Sequence, residues 1–413
     1  MKALFISYNG ALEPLIKSQG IPYLEGLSKK GVGCVLLTFE KIPAGGRGIA
    51  GEINVLRAEL RAKDIEWYPL RYHKKPTLPA TIFDLLQGIA VALYIIISRK
   101  IDIIHCRAAV AGVIGFVAAG ITGKKILLDE RGLMAEEYAD GGMWKRDGML
   151  YRAVRKIEKM MLRKAAAVVV LTENIRDFLL TSDYLFPLTH QQKREISVIP
   201  CCVDLKRFNI NGPVDDSFRR ERGMEGKFVF VYSGSLGTWY LLREMVEFFK
   251  CAKTAISNAH FLFLSNSESS AITGLWKANG LSFSDLTIKN VAYESVSGLI
   301  RCADCGVFFI KPVLSKRSSC PIKFAEYLSC GLPVVLNPGI GDTDKIVKID
   351  KVGVVCEGFS RQDYLSCARS LQALIKEGDL LRDRCYNSAR SLFRLELGVD
   401  SYYEVYKKIK EMR

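Results

Sequence analysis

The stretch SSCPIKFAEYLSCGLPVVLNPGIGD, residues 318–342, decides the fold of the second half of the chain. Pro321 suits the first turn of a helix, where no backbone N–H is needed, and Ser319 or Cys320 is the expected N-cap. Gly331 supplies the left-handed residue that often follows a helix end. We predict a helix of about ten residues, followed by a short buried strand and a glycine-rich loop.

The same order of elements recurs outward along the chain, where short apolar strands alternate with longer helical stretches. The first half has expected strands at Ala3–Ser7, Val32–Thr38, Ile101–His105, Lys125–Asp129, Val168–Leu171 and Ile196–Ile199. The second half has them at Phe228–Ser233, His260–Ser265, Leu286–Lys289, Cys305–Ile310, Pro333–Leu336 and Gly353–Cys356. Such alternation predicts an α/β fold with parallel sheets and helices on both faces. The polar segment Pro200–Gly226 separates two domains.

Composition agrees with two folded domains, since the 413 residues are 49% hydrophobic and 25% charged. The first ten residues hold a short apolar run and no cleavage signal, so we expect no signal peptide. Two uncharged stretches, 85–98 and 108–123, have 14 and 16 residues. A membrane span needs about 18 or more, and we therefore predict that both stretches form buried helices.

Cysteine usage indicates a reducing compartment, because twelve cysteines are scattered without a secretory signal. Cys302 and Cys305 alone have metal-like spacing, and two ligands are half of what zinc needs. The histidines add no ligand pattern: His73, His105, His190 and His260. We expect no bound metal.

The charge balance favours an anionic partner, since 59 basic residues against 44 acidic ones give +15. Trp144–Lys164 concentrates eight basic and two acidic residues, and Leu150, Val154, Ile157 and Met161 keep helical spacing on one side. Two interpretations stay open: a core helix with a solvated basic face, or a helix that contacts an anionic membrane. Nucleic acid is not an expected partner, because no recognition helix, zinc finger or aromatic sheet motif accompanies the charge.

No GxGxxG or GxxxxGK[ST] motif is present, so dinucleotide and P-loop chemistry are not expected. The predicted helix at Pro321 instead begins at the carboxyl edge of its sheet, where ligands bind. Its free amides can hold a phosphate with Lys316, Arg317 and Lys323. Glu326 shares a helix face with Lys323, and its carboxylate suits the two hydroxyls of a ribose. The alternative is an ordinary exposed Lys–Glu pair.

The pattern SxPxKxxEYLxxGLPVV followed by GxGD resembles the donor-binding motif of retaining glycosyltransferases with the GT-B fold, family four. Other matching segments are Asp102–His105, Ala165–Thr172, Ile199–Asp204 with Phe208, and Tyr232–Thr238. The resemblance implies two Rossmann-like, doubly wound domains that face each other across a cleft. It assigns residues 1–205 to acceptor binding and 206–392 to donor binding, with a helix at 393–413 that crosses back to the first domain.

The implied function is transfer of a sugar from a nucleotide-diphosphate sugar, with UDP the commonest nucleotide, to a hydroxyl of a glycan or lipid-linked acceptor. The resemblance implies retention of configuration and no cofactor, because the nucleotide sugar is a substrate. With the basic helix, it suggests surface polysaccharide synthesis in the cytoplasm, at the inner face of a membrane.

Two departures from the family pattern bear on the donor site. Ser318 stands where many members have a glutamate for the donor sugar, and Ser235 and Leu241 replace the usual basic residues. We expect Lys323 to supply the missing charge, helped by Lys311, Lys316 or Arg317. The expected donor-binding residues are Gly10, Gly234, Ser235, Gly237, Thr238, Lys311, Ser318, Ser319, Lys323 and Glu326.

The expected catalytic residues of the first domain are His105, Asp129 and Arg131, which follow or end predicted strands. Arg131 would clamp a substrate phosphate or a developing oxyanion, and Asp129 would orient a hydroxyl. The alternative is that Asp129 and Arg131 pair with each other in a structural turn. Gly10 either lets its loop approach a ligand closely or forms an ordinary turn.

Two other function classes share this fold or site. A non-hydrolysing epimerase of UDP-amino sugars would convert the donor without an acceptor, so incubation of a UDP-sugar alone distinguishes it. A non-catalytic nucleotide-sugar-binding protein would show no turnover with cell-envelope lipid extracts.

Overall fold

The computed structural model describes residues 1–42, 49–182, 184, 196–267 and 269–412. The chain divides into two compact units. The N-terminal domain comprises Met1–Pro200 together with Leu395–Arg413, and the C-terminal domain comprises Cys201–Arg394.

The N-terminal domain is built on a seven-stranded parallel sheet of order β3-β2-β1-β4-β5-β6-β7. The strands are β1 (Lys2–Ser7), β2 (Gly33–Glu40), β3 (Ile65–Arg71), β4 (Ile103–Arg107), β5 (Lys125–Asp129), β6 (Ala167–Val170) and β7 (Ile196–Val198). The helices are α1 (Pro14–Gln19), α2 (Ile21–Lys29), α3 (Ile49–Ala62), α4 (Thr77–Ser98), α5 (Ala108–Thr122), α6 (Met134–Asp140), α7 (Met149–Lys164) and α8 (Glu173–Thr181). Strand order reverses between β1 and β4, which makes their carboxyl ends the expected ligand edge.

The C-terminal domain has a six-stranded parallel sheet of order β10-β9-β8-β11-β12-β13. The strands are β8 (Phe228–Ser233), β9 (Ala259–Leu264), β10 (Leu286–Lys289), β11 (Cys305–Phe308), β12 (Val334–Leu336) and β13 (Gly353–Val355). The helices are α9 (Asp216–Glu221), α10 (Leu242–Ala255), α11 (Ser269–Ala278), α12 (Val296–Ile300), α13 (Ile322–Ser329), α14 (Thr343–Asp350), α15 (Arg361–Leu374) and α16 (Asp379–Leu392). Here the order reverses between β8 and β11, so the loops after these two strands flank the ligand edge.

The last helix, α17 (Leu395–Glu411), belongs to the N-terminal domain, where it packs on α2, β4 and β5. Tyr402 and Tyr406 on its inner face are fully buried. The helix is therefore part of the core that supports β4 and β5.

The predicted α/β fold class with two parallel sheets is confirmed, and each of the twelve predicted strands is present with bounds that shift by a few residues. The prediction missed β3, whose sequence IEWYPLR includes Pro69. Proline removes a ladder donor and is confined to sheet edges. β3 lies at the edge of its sheet, next to β2 alone, and so tolerates Pro69.

The predicted apolar face of α7 is only partly buried, at Met161 and Val154. In α7, Leu150 and Ile157 are 51% and 39% exposed, and the buried residues are Tyr151, Glu158, Met161 and Leu162. The reason is Glu158, whose carboxylate turns inward and accepts hydrogen bonds from the Met134 and Ala135 amides at the start of α6. Because Glu158 is held inward by these hydrogen bonds, the buried face of α7 differs from the face that carries Leu150 and Ile157.

The stretch 85–98, predicted as a buried helix, is part of the longer helix α4, whose outer side is exposed. Among the described residues α4 is the one helix long and apolar enough to cross a membrane by length and composition, and 33% of its apolar window is buried.

Candidate functional site

The helix predicted to begin near Pro321 is α13. It lies between β11 and β12 and begins at the carboxyl edge of the C-terminal sheet. Its N-cap is Pro321, with no side-chain cap, so the predicted capping by Ser319 or Cys320 was wrong. The helix has eight residues, Ile322–Ser329. A 3-10 turn at Leu314–Ser318 precedes it, in which Ser318 Oγ donates to the Ser315 carbonyl at 2.6 Å. Gly331 has the predicted left-handed conformation at φ 77°.

Lys323, in the first turn of α13, is the central residue of the site. Its side chain is 4% exposed and lies between two aromatic rings, with Nζ 3.9 Å from the centroid of Tyr232 and 3.7 Å from that of Tyr240. Nζ has no hydrogen-bond partner within the part of the chain that the structure describes. Burial lowers the pKa of Lys323, and Glu326 opposes that shift.

Such an amine is costly for the folded protein, because a buried ammonium without a hydrogen-bonding anion loses most of its hydration. The two tyrosine faces recover part of that cost through cation–π attraction. The N–H groups of Nζ have no acceptor among the described residues, which indicates that an anionic ligand binds there. The free amides at the start of α13 place the positive end of the helix dipole beside the same position.

Glu326 lies one turn further along α13 and is 5% exposed. Burial raises the pKa of this carboxyl to about 7, and the positive charges of Lys323 and Arg207 limit the increase. No ion pair joins Glu326 to Lys323 within 4 Å, so the two groups are separate rather than an ordinary salt bridge.

The raised pKa of Glu326 gives a prediction about stability. Between the ordinary glutamate pKa of 4.5 and the raised pKa of about 7, the folded protein binds the proton more tightly than the unfolded chain, so the free energy of unfolding falls as pH rises. Glutamine does not titrate, so in Glu326→Gln this fall in the free energy of unfolding is absent. We expect the variant to gain about 3 kcal/mol relative to the parent between pH 4 and pH 8, measured by chemical denaturation. A difference that does not change with pH would contradict the prediction.

The loop after β8 brings its first glycine to Lys323. Gly234 has φ +119°, and a Cβ there would lie 3.2 Å from Lys323 Nζ, so a side chain at this position would crowd the amine. The Gly234 amide donates to the Leu264 carbonyl at 2.9 Å, and Tyr232 Oη donates to the Ser235 carbonyl at 2.7 Å. Ser235, Gly237 and Thr238 are exposed along the same loop.

The loop after β11 carries the other predicted basic residues. Lys316 is 5% exposed, with Nζ 4.0 Å from the centroid of Trp239, and its carbonyl accepts from the Gly341 amide at 2.9 Å. Lys311 is exposed, and its amide donates to the Trp239 carbonyl at 2.9 Å. These contacts join the loops of 234–240, 310–318 and 338–342 at one edge of the sheet. Phosphate contacts by Lys311, Lys316, Ser318 or Ser319 stay predictions.

The three residues predicted to be catalytic lie together in the N-terminal domain. Asp129 is fully buried and accepts from Nε and Nη2 of Arg131 at 2.9 and 2.7 Å. His105 Nε2 lies 3.4 Å from the same carboxylate, and its Nδ1 contacts Tyr406 Oη at 2.7 Å. Arg131 also donates to Tyr402 Oη at 2.6 Å. The group therefore ties α17 to β4 and β5, and a catalytic role for these residues stays a prediction.

The electrostatics of this group favour one ionisation state. Burial raises the pKa of Asp129, but the charges of Arg131, His105 and Arg107 outweigh burial and hold it well below its usual range. Burial lowers the pKa of His105, which Asp129 opposes. Asp129 is therefore an ionised carboxylate that neutralises Arg131 inside the domain.

Gly10 follows β1 and packs on Glu40. A Cβ at Gly10 would lie 2.5 Å from Glu40 Oε2, and the Glu40 carboxylate accepts from the Ala11 and Leu12 amides at 2.7 and 3.2 Å. Glycine at position 10 therefore lets the backbone approach Glu40, whose carboxylate holds the loop after β1. Donor binding by Gly10 stays a prediction.

Sequence reasoning missed two features. The first is the aromatic enclosure of Lys323 by Tyr232 and Tyr240, for which the tyrosines flanking the glycine loop were the available signal. The second is a cluster at the carboxyl edge of the N-terminal sheet, where buried Asp84 accepts from Tyr8 Oη at 2.9 Å and contacts His73 Nδ1 at 2.6 Å. His73 and Asp84 are eleven residues apart, so no local motif marks them.

The remaining histidines have ordinary surroundings where they are described. His260 Nε2 contacts Thr287 Oγ1 at 2.9 Å in the core, and His190 lies outside the described residues. Across the described ranges, no group of three or more His, Cys, Asp or Glu residues could hold a metal ion.

Comparison with known proteins finds one family model that matches the first half of the chain. Residues 24–207 match the family model described as Glycosyltransferase Family 4. No curated protein matches the chain.

Solved structures resemble the whole chain. A glycosyltransferase from Rickettsia africae ESF-5 is 15% identical, with a TM-score of 0.72, and the match covers 100% of this chain and 99% of that one. Anabaena Alr3699/HepE in complex with UDP is 12% identical, with a TM-score of 0.71 and coverage of 98% and 100%. WaaG, a glycosyltransferase involved in lipopolysaccharide biosynthesis, is 13% identical, with a TM-score of 0.68 and coverage of 98% and 99%. The chain therefore has the GT-B fold of these glycosyltransferases, and the match to the Glycosyltransferase Family 4 model is confined to residues 24–207.

Proposed function

We propose that this protein is a retaining glycosyltransferase that moves a sugar from a nucleotide-diphosphate sugar to an acceptor hydroxyl. The observation that carries the proposal is Lys323, a buried amine with no hydrogen-bond partner among the described residues, enclosed by Tyr232 and Tyr240 beside the N-terminus of α13. A diphosphate would supply the missing anion.

The chemistry follows from where negative charge develops. As the bond between the anomeric carbon and the diphosphate breaks, the electron pair stays on the leaving oxygen. Groups fixed beside that oxygen stabilise the transition state more than the ground state. Lys323 and the first amides of α13 are such groups. Glu326, in its ionised form, accepts the ribose hydroxyls and fixes the nucleotide in the orientation that places the diphosphate at Lys323.

UDP is the nucleotide we propose first, supported by the fold shared with Anabaena Alr3699/HepE, which was solved with UDP. The acceptor is a glycan or lipid-linked hydroxyl recognised by the N-terminal domain, and the setting is surface polysaccharide synthesis at the inner face of a membrane. The shared fold with WaaG and the net charge of +15 support this setting.

Thermal shift with a panel of nucleotide sugars tests the donor. We expect a UDP-sugar to stabilise the protein, and a GDP- or ADP-sugar to do so less. If no nucleotide sugar stabilises it, the proposal fails.

The stereochemical outcome is a separate prediction. We expect a sugar donated from an α-linked nucleotide to appear α-linked in the product, because the resemblance to the retaining family implies departure and attack on the same face. The coupling constant of the anomeric proton in the product, measured by NMR, decides this. A β-linked product would contradict retention, and conversion of the UDP-sugar without any acceptor would favour an epimerase.

A further inference from the structure

The outer side of α4 is apolar along its whole length. Its exposed large side chains recur at helical spacing: Leu78 66%, Ile82 49%, Phe83 54%, Leu86 64%, Tyr94 59% and Ile97 71% exposed. On the neighbouring helix α5, Val117 and Ile121 are 42% and 65% exposed. We call these eight side chains the α4–α5 face. It extends for about 33 Å, the length of a helix of 22 residues.

The inner side of α4 is fixed to the domain. A Cβ at Gly88 would lie 2.7 Å from Ile114 Cδ1 and 2.9 Å from Phe39 Cζ, so the helix packs closely on α5 and β2. Asp84, the one carboxylate of α4, is fully buried and hydrogen-bonded to Tyr8 and His73. Crossing a bilayer would break this packing and carry Asp84 into hydrocarbon, which is costly. The helix is therefore built to lie on a surface rather than to span one.

Basic residues border the α4–α5 face. Lys74 and Lys75 precede α4 and Lys100 follows it, and all three are exposed. The helix α5 also packs against α7, whose exposed residues include Arg152 and Lys156. An apolar stripe with a basic border matches a bilayer that carries anionic head groups. A second copy of the chain would instead bring two charges of +15 together.

We propose that the α4–α5 face docks on an anionic lipid bilayer, with α4 lying in the plane of the interface. The flanking lysines contact lipid phosphates, and the exposed α4 side chains enter the boundary between head groups and acyl chains. The α7 helix, for which the sequence left membrane contact as one of two interpretations, then contributes its basic residues at the border of this face. The proposal does not depend on the transferase activity.

Co-sedimentation with vesicles tests it in the full chain without any donor. We expect binding to vesicles of phosphatidylglycerol and phosphatidylcholine. The triple variant Ile82→Asn, Leu86→Asn and Ile97→Asn should weaken that binding by roughly a hundredfold, from the lost apolar contact. The matched control carries Val55→Asn, Ile349→Asn and Leu380→Asn, which are 60%, 66% and 73% exposed elsewhere, and should bind like the parent.

A charge series completes the test. Replacing Lys74, Lys75 and Lys100 by glutamine should lower the partition coefficient by roughly fivefold per lysine, since each basic residue near an anionic surface adds about 1 kcal/mol. Thermal melts confirm that each variant folds. The proposal is overturned if the parent binds no vesicle, if the α4 variant binds like the parent, or if sedimentation shows a dimer that the α4 variant abolishes.

Discussion

Lys323→Met is expected to weaken binding of a UDP-sugar by about a hundredfold and to raise the melting temperature of the ligand-free protein. Methionine keeps an unbranched apolar chain between Tyr232 and Tyr240, one atom shorter than lysine, and removes the charge. The lost contact is a hydrogen-bonded ion pair with the diphosphate, worth about 3 kcal/mol. Stability rises because the unliganded protein no longer buries an ammonium, whose burial lowers the pKa of Lys323.

The opposite signs of these two effects make the test specific. Calorimetric titration gives the affinity, and a thermal melt gives the stability. Lys345→Met on the exposed side of α14 is the matched control and should change neither quantity. Unchanged donor affinity in Lys323→Met would remove the role assigned to this lysine.

Asp129→Asn is expected to lower the free energy of unfolding by about 3 kcal/mol, because it removes the charge that neutralises a buried guanidinium. Asp129 accepts two hydrogen bonds from Arg131, which in turn donates to Tyr402 on α17. We therefore expect amide hydrogens of α17 to exchange faster in the variant. The stability that Asp129 contributes is present above the carboxyl's unfolded pKa and is lost as pH falls, since its folded pKa is depressed.

Tyr402→Phe provides the comparison for this group, because it deletes one hydrogen bond to Arg131 and leaves the carboxylate in place. We expect it to cost about 1 kcal/mol. If Asp129→Asn instead kept full stability and lowered kcat alone, Asp129 would act on the acceptor, and the structural interpretation would be wrong.

Much of the C-terminal domain could be predicted from sequence, because its signals are local. Pro321 and Gly331 mark the ends of α13 directly, and the apolar strands on either side place its N-terminus at the ligand edge. The cap itself was mispredicted, since the helix begins at Ile322 with Pro321 as its N-cap, so Ser319 and Cys320 lie before the cap position. The enclosure of Lys323 depends on Tyr240, which reaches it through a bridge to Ile310 that the sequence does not encode locally.

The N-terminal domain was harder to predict because its decisive contacts are long-range. Pro69 made the sequence of the edge strand β3 unlike that of a strand, so β3 was not predicted. Glu158 is buried in α7 through hydrogen bonds to α6, which the apolar spacing of α7 does not indicate. The environment of Asp129 depends on α17, whose Tyr402 is 273 positions further along the chain. Residue type and spacing could identify Asp129 and Arg131 as a pair but not the helix that covers them.

A structure determined with an intact UDP-sugar tests the central claim most directly. We expect the diphosphate to lie at the N-terminus of α13 within hydrogen-bond distance of Lys323 Nζ, and the Glu326 carboxylate to accept the ribose hydroxyls. A diphosphate bound elsewhere, with Nζ still enclosed by Tyr232 and Tyr240 and without contact to phosphate, would contradict it.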